Sequence, residues 1–175
     1  MHTPASIAHH PIHVMLVGIP IGFWMFSFVC DLIVVFTDVE EVANLWFTIS
    51  YYTMAAGLFV ALLAAIPGFI DFMSLRNREV RRVAITHLTL NLIVVGAYAV
   101  NLWIRADESP AFLAGMALSL LALGLLVGSA WLGGEMVHVH GVGVAGVPAP
   151  PDDVEETEAK VKYTAPPATR VWRPH

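Results

Sequence analysis

Apolar residues dominate four stretches of the chain, approximately residues 14–36, 45–67, 83–104 and 111–132. Each is long enough to cross the roughly 30 Å hydrocarbon layer of a bilayer, which takes about 20 helical residues. The polar positions inside these stretches follow a pattern. His13, Val17, Pro20, Trp24, Ser27 and Asp31 recur at four- and three-residue steps, and so do His87, Asn91, Val94, Tyr98 and Asn101, which places each set on one face of a helix. Hydrocarbon offers Asp, Asn and His no partner, so both stripes are predicted to face a bundle interior, with Asp31, Asn91 and Asn101 as interhelical polar contacts. The second stretch contributes Gly57, Ala61, Ala64, Gly68 and Asp71, and the fourth Gly115, Ser119, Ala122, Ser129 and Gly133, with His140 in register if the helix continues. Small residues at these spacings let helix backbones approach closely in lipid. Short connections favour antiparallel neighbours, and the predicted fold is an all-α, four-helix transmembrane bundle of up-down-up-down topology.

Composition supports the membrane class. The chain is 57% hydrophobic and 13% charged, against about 25% charged for soluble domains. One bundle and a tail account for its length: residues 1–146 form the transmembrane domain and 147–175 a polar, Pro-rich tail. That tail carries an acidic run from Asp152 to Glu158 and no apolar period that could build a core. The single Cys30 excludes a disulfide framework and a cysteine-based zinc or iron–sulfur site. Nothing in the charge pattern indicates nucleic-acid binding.

Charge also orients the chain. The connection after the second stretch holds Arg76, Arg78, Arg81 and Arg82, whereas residues 37–44 have no basic side chain and Asp107 and Glu108 outweigh Arg105 in the last connection. Under the positive-inside rule the arginine loop and both termini lie on the cytoplasmic side.

That same side gathers five of the eight histidines: His10, His13, His87, His138 and His140. His2, His9 and His175 are read as interfacial anchors, and Pro11 as the first residue of a helix with His10 as its N-cap. Imidazole ligates metals and titrates near neutral pH. The candidate cofactor ligands are therefore His13, His87, His140 and His10. For a bare metal ion they are His13, His87 and His140, with Asp71 behind them as a carboxylate that orients an imidazole.

Several blocks resemble one family. They are the run from His9-His10-Pro11-Ile12-His13 through Gly22, Ala65-Ile66-Pro67-Gly68-Phe69-Ile70-Asp71, the segment from Arg82 through His87 to Asn91, and Trp131-Leu132-Gly133-Gly134-Glu135-Met136-Val137-His138-Val139-His140. Together they resemble the bacterial four-helix membrane proteins catalogued as the domain of unknown function 2231 family. The resemblance covers residues 9 to 144 and implies the four-helix fold and the bacterial inner membrane. It also implies electron-transfer surroundings, because some relatives carry a Rieske-type domain; Rieske-type or cytochrome proteins are the partners it suggests. His140 matches the family's closing motif, whereas at His138 the family has an aromatic residue.

Three functions fit these residues. The first is electron transfer by a b-type haem bound non-covalently between helices through two histidines, since no thiol ligand or haem-attachment motif exists. The second is a cofactor-free accessory or scaffolding subunit of a larger respiratory or photosynthetic membrane complex. Its outward small-residue ridge would be Gly124-x-x-x-Gly128, which cannot share a face with Ser119, Ala122 and Ser129 at once. The third is a copper, zinc or iron site for metal binding or transport. No nucleophile elbow, phosphate loop or metalloprotease motif is present, which argues against a hydrolase or transferase.

Overall fold

A computed structural model of the chain describes residues 3–8, 10–106 and 112–144. His2, His9, His175, Asp107, Glu108 and the tail lie outside the described residues. Two short strands, β1 (Ser6–Ile7) and β2 (His10–Pro11), pair antiparallel ahead of four helices, α1 (Ile12–Phe36), α2 (Glu40–Ser74), α3 (Arg78–Ala106) and α4 (Phe112–His138). All four helices are long and apolar enough to cross a membrane.

Local chemistry explains the helix limits. Glu40 and Glu41 stand in the first turn of α2, where carboxylates complement the positive end of the helix dipole. Asn77 caps α3, its Oδ1 accepting the backbone N–H groups of Glu79 at 2.9 Å and Val80 at 3.1 Å. α4 ends at His138; Gly141 adopts φ 66°, and Val142 N–H donates to the Met136 carbonyl at 2.9 Å. A glycine in the left-handed region is a common helix stop. The helix therefore does not carry His140 onto the interior stripe. α1 begins one residue later than the sequence suggests: Pro11 is its cap, with no side-chain bond. His10 belongs to β2 and bonds the Ala8 carbonyl through Nδ1 at 2.8 Å.

Packing is concentrated within two hairpins, α1 with α2 and α3 with α4, which meet over a sparser interface. Hydrogen bonds join the start of α1 to the far half of α2 (His13 to Ala64) and its end to the first third of α2 (Asp31 to Ser50). α3 and α4 pair in the same antiparallel sense, through His87 with Ser129 and Asn101 with Gly115. The polar stripes of α1 and α3 face each other across this interface, as their periodicity predicts. Midway along it, Trp24 stacks on Tyr98 with ring centroids 4.2 Å apart and planes 8° from parallel. Met54, Val94, Ala122 and Leu126 complete that layer. Gly57 makes it possible, because a Cβ there would stand 2.7 Å from Trp24 Nε1.

Candidate functional site

The interior has a polar centre toward each end. Beyond the Trp24–Tyr98 layer, on the side away from the arginine loop, Arg105 reaches Asp31 through two bonds, Nη1 to Oδ1 at 2.7 Å and Nη2 to Oδ2 at 2.6 Å. The Arg105 and Asp31 side chains are 1% and 0% exposed. Ser50 Oγ–H donates to Asp31 Oδ1 at 2.6 Å and accepts Arg105 Nη1–H at 3.0 Å, while Ser27 Oγ–H donates to the Ser50 carbonyl. Arg105 Nε–H donates to Asn101 Oδ1 at 2.9 Å, and the Asn101 amide donates to the Gly115 carbonyl and to Ser119 Oγ, each at 2.8 Å. Phe47 and Phe112 flank the guanidinium at 6.0 and 5.6 Å. All four helices thus contribute to a charge-neutral cage in which donors and acceptors are matched. Asp31 and Asn101 were legible as interhelical residues. Arg105 was not: counted by sequence as a loop charge, it lies inside α3, where its side chain runs back to Asp31.

At the arginine-loop end the structure brings together His13 and His87, ring centroids 6.5 Å apart and planes at 88°. His13 Nδ1 lies 2.8 Å from the Ala64 carbonyl, and His87 Nδ1 lies 2.8 Å from the Ser129 carbonyl and 3.0 Å from Ser129 Oγ. A carbonyl oxygen can only accept, so Nδ1 of each ring carries the proton, and in the neutral imidazole Nε2 is the accepting nitrogen. Two backbone carbonyls thereby fix both tautomers, the orienting role the sequence assigned to Asp71. Asp71 instead accepts the Ala5 N–H at 2.9 Å, tying the N-terminal hairpin to α2, and remains within electrostatic range of His13.

Glycines set this approach. A Cβ at Gly68 would lie 2.6 Å from His13 Nδ1, and one at Gly133 would lie 3.3 Å from His87 Cε1. Gly68→Ala is therefore expected to cost about 1–3 kcal/mol through overpacking, with loss of the His13–Ala64 bond. Gly133→Ala should cost less, since a few tenths of an ångström relieve it. Thermal unfolding of both variants in lipid nanodiscs checks the order, and the reverse order contradicts the packing described.

The remaining sequence candidates stand apart. His140 faces Glu135, Nε2 to Oε1 3.9 Å, and His10 bonds within its own turn. Among the described residues no group of three or more His, Cys, Asp or Glu side chains is placed to hold a metal ion. Asn91, expected to bridge helices, bonds within α3: its amide reaches the carbonyl and Nε2 of His87, one turn back.

Fold and site together define a multi-pass four-helix membrane protein with a paired-imidazole centre toward one end and an ion-pair cage toward the other. Residues 9–146 match the family model described as a predicted membrane protein (DUF2231), and the chain belongs to that family. No curated protein and no solved structure matches it.

Proposed function

We propose that the protein is an electron-transfer membrane protein that binds a b-type haem through His13 and His87. The observation that carries this reading is the pairing of two imidazoles of fixed tautomer at bridging distance. The ring centroids of His13 and His87 stand 6.5 Å apart, so these two side chains would be the ones to hold the group. A haem held there supplies reversible one-electron transfer. The protein's part is to present two partly buried imidazoles from diagonal helices, each oriented by a backbone carbonyl.

The ligand count favours haem over a bare ion. A copper, zinc or iron site built from side chains needs three or four donors, and the described residues converge only two here. Haem needs just two axial donors from the protein. Four exposed arginines, Arg76 on the α2–α3 connection and Arg78, Arg81 and Arg82 in the first turns of α3, support a bacterial inner-membrane orientation with this end of the bundle and both termini cytoplasmic.

A second reading, an accessory subunit of a larger membrane complex, draws on Gly124 and Gly128. Both face outward, and a Cβ at either would meet nothing within 4 Å, so α4 offers another helix a close-packing ridge.

The absorption spectrum of the protein purified from its native membranes distinguishes the two. The haem reading predicts a Soret band with sharpened visible bands on reduction. A protein isolated intact with its partners and without haem overturns it in favour of the accessory subunit.

A further inference from the structure

We propose that Asn91 caps the ligand lone pair of His87, so that coordination at that imidazole proceeds by displacing a side-chain amide. The inference rests on the paired-imidazole reading above and adds an inequality between its two ligands.

Asn91 Nδ2 lies 2.9 Å from the His87 carbonyl and 3.0 Å from His87 Nε2. The carbonyl accepts only, so the amide atom facing it is the NH2 nitrogen and not the oxygen. That same nitrogen reaches Nε2. Since the proton of Nδ1 is committed to the Ser129 carbonyl, Nε2 is the basic nitrogen of the neutral ring and receives the second amide hydrogen. Two donors therefore meet two acceptors, and the assignments of Asn91 and His87 fix each other. The four-residue spacing brings this about, because side chains at i and i+4 overlie one another on a helix.

The consequence is an order of engagement. At His87 the lone pair that would hold a metal is already occupied by an amide N–H, and a bond formed there would cost the hydrogen bond it replaces. His13 has its Nδ1 held by Ala64 and no such amide one turn along α1, where position 17 is Val17. His13 would thus be the first ligand and His87 the exchangeable one. Asn91 is a positioning residue that controls access to the second coordination position and does not itself ligate.

Two measurements on the full-length protein in nanodiscs test this. The first uses cofactor-free protein with 15N-labelled histidine, comparing wild type with Asn91→Leu, and with Asn91→Ala should the larger side chain prevent folding. The His87 Nε2 resonance should shift toward that of an unbonded nitrogen while the His13 resonances stay in place; an unchanged His87 resonance overturns the cap. The second titrates the same proteins with ferric protoporphyrin IX. Removing the competing hydrogen bond should tighten apparent binding about fivefold, and equal or weaker binding by the variants overturns the exchange. If wild type and variants all fail to take up the porphyrin, the haem reading falls, and the cap stands or falls on the nitrogen resonances alone.

Discussion

Alanine at Asp31 or at Arg105 is expected to destabilise the folded bundle by about 3–5 kcal/mol, because either change strands an unpaired charge in a low-dielectric interior. The Arg105 change should be the costlier, since the guanidinium also holds Asn101 Oδ1 and Ser50 Oγ. Replacing both partners together by apolar residues of similar volume, Asp31→Leu with Arg105→Met, should recover most of the loss, since no charge is then left buried. A double-mutant cycle of Asp31→Leu, Arg105→Met and their combination, read by thermal unfolding in nanodiscs, checks this. Additive single costs would contradict the account, because they would mean that the two side chains act independently despite the 2.6 Å contact between them.

The effect matters beyond local stability because of where the pair sits. Hairpins α1–α2 and α3–α4 pack well internally and meet over the sparser interface. Asp31 and Ser50 belong to the first hairpin, Asn101 and Arg105 to the second. The cage therefore fixes the axial register of one hairpin against the other, and with it the height at which His13 meets His87. A change at one end of the bundle is expected to loosen the imidazole pair at the other.

The hydrophobic pattern made the four helices legible, as well as the inward stripes of α1 and α3, because a bilayer leaves polar side chains no other place to go. It carried the pairing of His13 with His87 and placed Asp31 and Asn101 in one polar centre, where Arg105 joins them. It could not reach Arg105. A charged residue at the edge of an apolar stretch resembles a loop charge, and only the turn count from Asn101, four residues earlier on the same stripe, hinted that Arg105 faces inward. The direction of Asn91 was hidden for a related reason: an inward amide can bond across the bundle or back along its own helix, and spacing does not distinguish the two. The roles of His10 and His140 depended on how the chain enters α1 and leaves α4, which one glycine at position 141 and a two-residue strand decide. Asp71 lost its expected role to backbone carbonyls, whose positions follow from helix packing and leave no mark in the sequence.

The second large effect concerns the cofactor. On the proposed haem reading, His13→Ala and His87→Ala should each abolish haem retention by the purified protein while leaving membrane insertion intact, because each ring would supply one of the two protein ligands. Stability should fall far less than in the ion-pair variants, since each histidine contributes its ring packing and one or two hydrogen bonds of about 1 kcal/mol. His10→Ala and His140→Ala should retain full haem, because neither ring joins the pair.

Electron paramagnetic resonance of the oxidised protein decides whether His13 and His87 together hold a haem. The planes of His13 and His87 stand at 88°, and a haem held by both rings with that angle kept would meet two imidazoles in perpendicular orientation. Haem held by both rings would give a strongly anisotropic low-spin ferric signal, of the kind given by perpendicular imidazole planes, that vanishes in both His→Ala variants. A haem signal that survives either substitution unchanged, or the absence of any haem signal from protein taken from its native membrane, would contradict it.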